Sequence, residues 1–429
     1  MLRGLTRGPH LSAVRARLSW PDGVFRRADF RRLWLAQSIS LVGSQVSLLA
    51  LPLVAVLVIR ATPAEMGVLG AVQFTPILVV GQIAGAWVDR VPRRPLLVGS
   101  DLGRALALGL IPVAAALGVL RIEHLYVIAL VTGSLNVIFD TAHLSFLPSL
   151  VEREALVEAN ARLEISRSLA QVAGPTVGGT LVQLLTAPLA IFVDAVSFLT
   201  SALFIARIRT PEKIVPAGPR PNVLRQIAEG WRFVFGQPIL RSLAVASTLG
   251  NGFYQLGSAI YVLYSTRELG ISPALLGLIY GAGGVGALLG AFSASRLGHF
   301  GVGKAAIVAT LAVGVGYLFV PLAGGTVALS TAMLAIGQLI NSFGIPIMVV
   351  NQISLRQAIT PVELQGRVNA TFRGLAWCAV PLGALLGGFL GDAVGLRPAL
   401  AVAAVGLFMP FLWLLFSPVR SYSLELVHS

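Results

Sequence analysis

The sequence predicts an all-α polytopic membrane protein, in which twelve transmembrane helices form two pseudo-symmetric six-helix bundles around a central cavity. Composition is the first reason, because 56% of the 429 residues are hydrophobic and 12% are charged, against roughly 25% charged in soluble domains. The apolar residues also stand in runs of about 20, the length of a membrane-spanning helix, and not in the short alternating pattern of barrel strands. Finally, motifs of the first half recur in the second.

Twelve apolar segments can be placed along the chain, six on either side of a polar segment that contains several prolines. The predicted spans cover residues 33–59, 64–88, 95–119, 123–146, 158–185, 188–208, 239–265, 273–295, 304–323, 327–350, 368–391 and 398–417. The predicted organisation is therefore a cytoplasmic tail (1–29), a first bundle (30–208), a cytoplasmic linker (209–238), a second bundle (239–418) and a cytoplasmic tail (419–429).

One part of the linker has helical character. In residues 223–235, Arg225 and Glu229 are spaced i,i+4, and Trp231 and Phe235 add aromatic surface. This pattern fits a short amphipathic helix that lies on the inner leaflet. A solvated linker helix fits nearly as well.

The basic residues set the predicted orientation. With both termini in the cytoplasm, only four of the 32 Lys and Arg residues fall outside: Arg60, Arg121, Arg267 and Arg397. This asymmetry predicts a multi-pass protein of the cell membrane with cytoplasmic termini. The net charge of +14 does not indicate nucleic-acid binding, because the cations stand at helix ends rather than on one soluble face.

The two halves resemble a duplicated sequence. The segment 62–67, Thr-Pro-Ala-Glu-Met-Gly, recurs 210 positions later as Ser-Pro-Ala-Leu-Leu-Gly, and Gln45 has Gln255 at the same offset. At an offset of 209, the matching pairs are Asn160 and Asn369, Gly174 and Gly383, Gly178 and Gly387, and Gly179 and Gly388. Parallel six-span repeats that hold a solute near the midplane are one known plan of membrane transporters.

The loop after the second span carries the strongest motif. Residues 85–94 contain Gly85, Asp89, Arg90, Arg93 and Arg94. Their spacing resembles the signature G-x-x-x-D-R-x-G-R-R of the major facilitator superfamily, with proline at position 92 where the family usually has glycine. A loop that merely follows the positive-inside rule explains the arginines but not the acid. The resemblance extends over the whole chain from about residue 30.

The fifth span carries a second motif, Gly174-Pro175-Thr176-Val177-Gly178-Gly179. It resembles the G-P-x-x-G-G signature of drug–proton antiporters in that superfamily. Segments 30–34 and 139–141 are likewise similar to macrolide-efflux and enterobactin-exporter-like proteins. Ordinary packing of small residues is the alternative for the glycines, which let a neighbouring helix approach closely.

Two positions depart from the antiporter pattern. Many drug–proton antiporters carry an arginine within the fourth span, whereas residues 124–142 contain none, and Ser44 stands where some relatives carry an acid. The resemblance therefore does not supply the residues for proton coupling. The acids Asp140 and Asp194 fall within predicted spans, where an ionisable group usually faces a cavity or a partner. We take them as proton-coupling candidates; an interfacial acid and a structural hydrogen bond are the respective alternatives.

Polar stripes on the first and seventh spans predict the lining of the cavity, because polar faces in lipid turn inward. The candidates for contact with a solute are Gln37, Ser44, Gln45, Asn251, Tyr254, Gln255 and Tyr261. Hydroxyls, amides and tyrosine rings together suit an amphipathic organic molecule better than an inorganic ion. Hydrogen bonding between helices, without solute contact, is the alternative.

Two ion pairs are candidate cytoplasmic latches between the halves. Asp89 ends the second span on the side where the eleventh begins, and Arg373 lies near that start. By the 209-residue offset, Arg373 corresponds to Glu164, and the loop after the eighth span offers Arg296. The predicted pairs are therefore Asp89 with Arg373 and Glu164 with Arg296. Simple neutralisation at the membrane surface is the alternative.

No pattern in the chain indicates an enzyme, a cofactor or a metal site. The five histidines have no ligand spacing, and no phosphate-binding G-x-x-x-x-G-K-[ST] loop is present. The resemblance implies a monomeric secondary transporter that exports small amphipathic compounds by alternating access, with the bilayer, the solute and protons as its partners. An uncoupled facilitative carrier, a lipid or siderophore carrier, and a non-transporting scaffold or sensor remain as alternatives.

Overall fold

The computed structural model describes residues 23–88, 90–212, 223–298 and 301–421, and these form helices joined by short connections. Helices α1 to α6 are Ala28–Val54, Pro63–Val88, Arg93–Ala116, Ile122–Leu150, Leu156–Leu184 and Ala187–Ala206. Helix α7, Val223–Gly236, lies in the linker. Helices α8 to α14 are Pro238–Arg267, Pro273–Gly298, Val302–Leu322, Val327–Ile359, Gln365–Val394, Leu396–Gly406 and Phe408–Leu415.

The fold is that of an all-α polytopic membrane protein, as predicted. Helices α1–α6 correspond to the first six predicted spans, α8–α12 to the next five, and α13 with α14 to the last. Among the described residues, ten segments are long and apolar enough to cross a membrane. The two further spans, α5 and α8, have 29 and 30 residues but are more polar. Their polarity has a reason, because α5 begins with several charged residues and α8 carries the polar stripe.

The first bundle begins earlier than residue 30, where the prediction placed it. Residues Gly23–Arg26 form a short 3₁₀-helix before α1. Val24 and Phe25 are buried in a cluster with Phe30, and the Phe25 and Phe30 rings meet edge-on with centroids 5.5 Å apart. The end of the predicted tail is therefore part of the bundle core.

Two equivalent interfaces join the halves. Helix α2 packs along α12, and α5 packs along α9. Because the second bundle repeats the first, α9 corresponds to α2 and α12 to α5, so the two interfaces are related by the internal symmetry. The end of the molecule where α2 and α9 begin is the predicted outer end. The opposite end, where α3 and α12 begin, is the predicted cytoplasmic end.

The linker helix α7 lies against the predicted cytoplasmic end of α12. The Glu229 carboxylate forms an ion pair with Arg367, and Gly230 leaves so little room that a Cβ atom would stand 2.8 Å from the Arg367 carbonyl oxygen. On the other side of α7, the exposed rings of Trp231 and Phe235 stack with centroids 5.2 Å apart. The helix that the linker pattern predicts is thus amphipathic and has one face on the second bundle.

Candidate functional site

Two pairs of glycines bring the halves together at the predicted outer end. A Cβ atom on Gly67 of α2 would lie 2.8 Å from the Cα atom of Gly388 on α12. A Cβ atom on Gly277 of α9 would lie 3.1 Å from the Cα atom of Gly179 on α5. These four residues are two pairs of repeat positions, so each interface uses the same glycines with the halves exchanged. Only residues without a side chain permit this approach.

Polar contacts reinforce both glycine pairs. The carboxylate of Asp392, in the last turn of α12, accepts the backbone N–H of Ala64 at 2.9 Å in the first turn of α2. The N-terminus of a helix carries partial positive charge, which favours an anion there. On the other interface, the Thr176 hydroxyl donates to the carbonyl oxygen of Gly277 at 3.2 Å. Sequence reasoning missed Asp392, because an acid at a helix end is typical of a solvated surface.

Below these contacts, both halves enclose a cavity of ≈ 210 Å³. Its lining comes from α1, α2, α5, α8 and α9: Gln45, Leu48, Leu49, Pro52, Met66, Leu69, Gly70, Gln73, Phe74, Pro175, Tyr254, Gln255, Ser258, Ala259, Val262 and Tyr280. Three of the predicted residues, Gln45, Tyr254 and Gln255, are among them. No lining residue is charged, and amide or hydroxyl groups stand between apolar side chains.

Four other residues predicted to line the cavity lie elsewhere. Gln37 is buried inside the first bundle, where its amide nitrogen lies 3.2 Å from Nδ1 of His143. Tyr261 is buried, and its ring meets that of Tyr280 edge-on. Asn251 donates to the backbone of α12, and Ser44 is half-buried on α1 outside the cavity lining. These four residues do not line the cavity in this arrangement, because a helical stripe is wider than the strip that faces the cavity.

The lining contains polar and aromatic residues that sequence reasoning did not single out. Gln73 and Phe74 lie on α2, and Tyr280 lies on α9. The Phe74 ring approaches that of Trp377 on α12, with centroids 6.1 Å apart, so an aromatic contact crosses between the halves beneath the cavity. A signal was available for Gln73, since an amide within an apolar span turns away from lipid.

The glycines of the Gly174-Pro175 motif contact two helices. A Cβ atom on Gly174 would lie 2.9 Å from Cγ of Gln45, and one on Gly178 would lie 3.0 Å from the Cα atom of Val46. Both contacts bring α5 against α1 within the first bundle. Gly179 faces α9 of the other half, and Pro175 lines the cavity. The motif therefore lies where the cavity, the first bundle and the second bundle meet.

Toward the predicted cytoplasmic end, a cleft of ≈ 520 Å³ opens between α2, α4 and α12. Its lining includes Asp140 on α4 and Arg373 on α12, and both side chains are exposed. Asp140 was predicted to lie within the fourth span as a proton-coupling candidate, and the structure places it on the wall of this cleft. The carboxylate lies within the span but faces the cleft, so water reaches it from one side.

Asp194 on α6 is buried within the first bundle, with 1% of the residue exposed. The Ser197 hydroxyl donates to Oδ1 of this acid at 2.9 Å, and Oδ2 has no hydrogen-bond partner. Gly43 on α1 provides the space, because a Cβ atom there would stand 2.8 Å from Cβ of Ser197. Asp194 is thus an acid within the bundle core, not at the cavity.

An ion pair that sequence reasoning missed lies beside Asp194. Asp101 and Arg104 on α3 are 0% and 5% exposed and form a direct ion pair. Arg104 also donates to the side-chain oxygen of Asn136 on α4 at 2.6 Å. Its guanidinium carbon lies 4.4 and 4.1 Å from the ring centroids of Phe139 and Phe198. The signal was present, since both residues fall within the predicted third span.

An arginine of the neighbouring helix reaches the fourth span, in which residues 124–142 contain none. The guanidinium of Arg104 reaches α4 from the neighbouring helix α3, at Asn136. Electrostatic interactions link it to Asp140 on the cleft side and Asp194 on the core side. The sequence of the fourth span alone does not indicate this cation, because Arg104 belongs to α3.

The residues of the predicted latches are only partly described. Asp89 and the surroundings of Gly85 lie outside the described residues, while Arg90 is exposed. Glu164 pairs with Arg167 of its own helix at 4.0 Å, and Arg296 is exposed. Neither latch is thus observed between the described residues in this arrangement.

The next two residues of the loop motif begin α3. The backbone N–H groups of Arg93 and Arg94 donate to the Glu212 carboxylate at 2.6 and 2.8 Å, which places an anion at the N-terminus of α3. Glu212 follows α6 in the chain, so this contact closes the predicted cytoplasmic end of the first bundle upon itself. Sequence reasoning did not single out Glu212.

Comparisons with known proteins agree on one family. The model of the family described as transmembrane secretion effector matches residues 21–428. The multidrug efflux pump Tap of Mycolicibacterium fortuitum is 30% identical over 356 residues, which cover 78% of this chain and 84% of that protein. The enterobactin exporter EntS of Citrobacter koseri is 28% identical over 394 residues, covering 88% of this chain and 89% of the exporter.

Solved structures of transporters resemble this fold. A bacterial homologue of the iron transporter ferroportin in its inward-facing state superposes with a TM-score of 0.74 at 17% identity, covering 90% of this chain and 98% of the homologue. The same homologue in its outward-facing state gives a TM-score of 0.57, with 92% and 100% covered.

Proposed function

Since the chain belongs to the transmembrane secretion effector family of the major facilitator superfamily, it is a multi-pass membrane transporter of small molecules, and we propose that it exports small amphipathic compounds in exchange for protons. Its relatives Tap and EntS are exporters, which supports the direction of transport. The energy would come from the proton gradient by secondary active transport.

The central cavity carries this proposal. It lies between the two halves, has no charged lining residue, and combines the amides of Gln45, Gln73 and Gln255 with the rings of Tyr254 and Tyr280. Such a lining suits a molecule with a large apolar surface and a few hydrogen-bonding groups. We propose that the protein transports as a monomer, with the cavity between its own two halves.

The observed arrangement fits the loading step of an exporter. We propose that both termini lie in the cytoplasm of a cell, so that the glycine contacts close the outer side and the cleft at Asp140 opens to the cytoplasm. The compound would enter the cavity from the cytoplasm or the inner leaflet. Separation of α2 from α12 and of α5 from α9 would then open the cavity outward.

The reverse closure would occur at the cytoplasmic end. We propose that Asp89 then meets Arg373 and that Glu164 exchanges its partner Arg167 for Arg296. Arg373 and Arg296 are exposed in the present arrangement and are therefore accessible for such pairing. Exposed pairs of this type contribute about 0–1 kcal/mol each, which holds one state without locking the transporter in it.

Proton coupling would use the acids of the first bundle. Asp140 is exposed in the cleft and Asp194 is buried in the bundle, with Arg104 within electrostatic reach of both. An acid at the cleft and an acid in the core provide an entry point and a storage point for a proton. The proposal assigns these two roles to Asp140 and Asp194.

Reconstitution into liposomes tests the function. Purified protein would be assayed with Hoechst 33342 and a radiolabelled macrolide, with and without a pH gradient, against protein-free liposomes. We expect the gradient to accelerate accumulation at least tenfold. Equal movement with and without the gradient would favour an uncoupled carrier, the second candidate, which the absence of an arginine on the fourth span permits. No movement of any compound would leave a scaffold or sensor.

A further inference from the structure

The charges in the core of the first bundle do not balance. Asp101 and Asp194 are both buried, and Arg104 is the cation beside them. Arg104 forms its ion pair with Asp101, while Asp194 has the hydroxyls of Ser47 and Ser197 beside it and no cation within ion-pair distance among the described residues. Two ionised acids with one arginine leave one uncompensated negative charge inside a membrane-spanning bundle.

Such a charge is strongly disfavoured. An ionised carboxylate away from water needs a cation or several donors, and an acid without them binds a proton instead. The Ser197 hydroxyl donates to Oδ1 of Asp194, and the Ser47 hydroxyl also lies beside this acid, so only neutral hydroxyls compensate it. One proton on Asp194 makes the group of three residues neutral, so burial and charge count together define a site for a single proton.

We propose that Asp101, Arg104 and Asp194 form one proton-binding unit, in which Asp194 carries the exchanged proton and the Asp101–Arg104 pair sets whether it is held. While Arg104 is paired with Asp101, Asp194 remains protonated. If Arg104 instead paired with Asp194, it would stabilise the ionised form of Asp194, and the proton would be released. Asp101 is therefore a positioning residue, because it acts through the arginine. The proposal rests on proton exchange as the proposed function and adds its switch.

Unused hydrogen-bonding atoms surround the arginine, as this exchange of partners requires. Nε of Arg104 is buried without a partner, and the Oδ2 atoms of Asp101 and Asp194 form no hydrogen bond of normal geometry, with the hydroxyls of Ser201 and Ser47 beside these acids. The guanidinium rests between the rings of Phe139 and Phe198, which hold a cation from both faces without fixing a direction for its hydrogen bonds. The positive charge of Arg104 is therefore well compensated, while one of its N–H groups has no hydrogen-bond acceptor.

The groups around the unit connect it to water on one side. Besides the three residues themselves, the ionisable groups that face it are Asp140 and His143 on α4, with Arg167 of α5 acting on both. Asp140 is exposed in the cleft and interacts electrostatically with Arg104. His143 is buried and bonded to Gln37, away from the cleft. A released proton would therefore leave through water at Asp140.

Infrared difference spectra, recorded as wild type minus variant without any solute, test the proton-binding unit. The wild-type protein in lipid at neutral pH should show the C=O stretch of a protonated carboxyl that Asp194→Asn removes. Asp101→Asn should also remove it, because Arg104 then turns to Asp194. The double variant Asp101→Asn/Arg104→Gln should keep it, because no cation remains. Glu123→Gln, which changes an exposed acid on α4, should leave the band unchanged.

A transport assay adds a functional readout on the same variants, with the dye and macrolide used above. Asp101→Asn and the double variant should lose gradient-driven accumulation at least tenfold and keep solute exchange without a gradient. Asp101→Asn alone leaves Arg104 without its ion-pair partner and could prevent folding, whereas the double variant leaves no unpaired buried charge. The double variant therefore tests the role of the ion pair even if the single variant does not fold. If wild-type transport ignores the gradient, the proposed function fails.

The unit itself is overturned by other results. A carboxyl band that persists in Asp101→Asn, or a double variant that retains gradient-driven accumulation, would show that the ion pair does not control the proton. If the folded double variant lost solute exchange and gradient-driven accumulation equally, the Asp101–Arg104 pair would have a structural role only. In each of these cases wild-type accumulation would still depend on the gradient.

Discussion

Gly67 of α2 and Gly388 of α12 lie so close that a Cβ atom on either residue would stand 2.8 Å from the Cα atom of the other. The internal repeat supplies the same contact a second time, between Gly179 and Gly277. Sequence duplication and conformational closure are therefore connected in this fold. One ancestral pair of small residues serves both interfaces that close the predicted outer end.

A side chain at Gly67 is predicted to open that end. In Gly67→Val, the added atoms would displace α12, and overpacking of this kind costs about 1–3 kcal/mol. The outward-open population should rise by roughly one order of magnitude. The measurement is labelling of Gln45→Cys in the cavity by an impermeant maleimide applied to whole cells. The exposed native thiol is first removed by Cys378→Ser.

Gly109→Ala on α3 is the control for that experiment, because no atom lies within 4 Å of the added Cβ. Labelling should stay at the background level in this variant. Gly277→Val, on the symmetry-related interface, should reproduce the effect of Gly67→Val. Labelling of Gln45→Cys that is unchanged by both valines would contradict closure by the glycines.

Loss of the charge at Asp392 is predicted to weaken the same closure by a smaller amount. Asn at this position keeps an acceptor for the Ala64 N–H but loses the anion at the start of α2. An anion at a helix N-terminus contributes about 0.3–1 kcal/mol, so the labelling rate from outside should rise roughly twofold to fivefold. Glu268→Gln changes another exposed acid at the same end and should have no effect.

Cavity residues are predicted to select compounds. Tyr254→Ala and Gln45→Ala should change which compounds are carried more than how much protein is made, because both side chains line the cavity. Cysteines at these two positions should react with water-soluble thiol reagents and be protected by a transported compound. Leu106→Cys, on an exposed part of α3, supplies the pattern of a lipid-facing site. Reaction from the lipid phase alone at positions 45 and 254 would refute the cavity assignment.

The sequence predicted the fold nearly completely and the site only in part. Periodic apolar runs determine where helices begin and end, so α2 begins at Pro63 against a predicted residue 64. Side-chain direction is less determined, because Gln37 and Gln45 share one stripe while only Gln45 faces the cavity. The i,i+3 spacing of Asp101 and Arg104 is visible in the third span, whereas the contact of Arg104 with Asn136 and its position beside Asp194 depend on how three helices meet.

The buried and cleft acids are predicted to separate driven from passive transport. Asp194→Asn should abolish gradient-driven accumulation and leave exchange without a gradient intact, since a permanently neutral side chain cannot release a proton. Asp140→Asn should act in the same direction if the cleft acid passes the proton to water. The two assays on one liposome preparation check this. Unchanged gradient-driven accumulation in both variants would remove these acids from the coupling mechanism.

The last prediction concerns the latch between Asp89 and Arg373. In the present arrangement Arg373 lines the cleft and is exposed, while Arg367 is already paired with Glu229, so Arg373 is the arginine near the start of α12 that remains for an acid from the other half. When the cleft closes, Asp89 would approach both this arginine and the positive end of α12, where an anion gains about 0.3–1 kcal/mol.

Asp89→Asn should therefore shift the transporter toward the inward-open state, lower maleimide labelling of Gln45→Cys from outside, and slow transport. The charge swap Asp89→Arg with Arg373→Asp should restore part of the transport rate, because the ion pair returns with its sign reversed. The restoration should be partial, because the positive end of α12 attracts the native carboxylate at position 89 and would repel an arginine there. A structure closed at the cytoplasmic end with Asp89 more than about 8 Å from the start of α12, beyond direct contact, would disprove the latch.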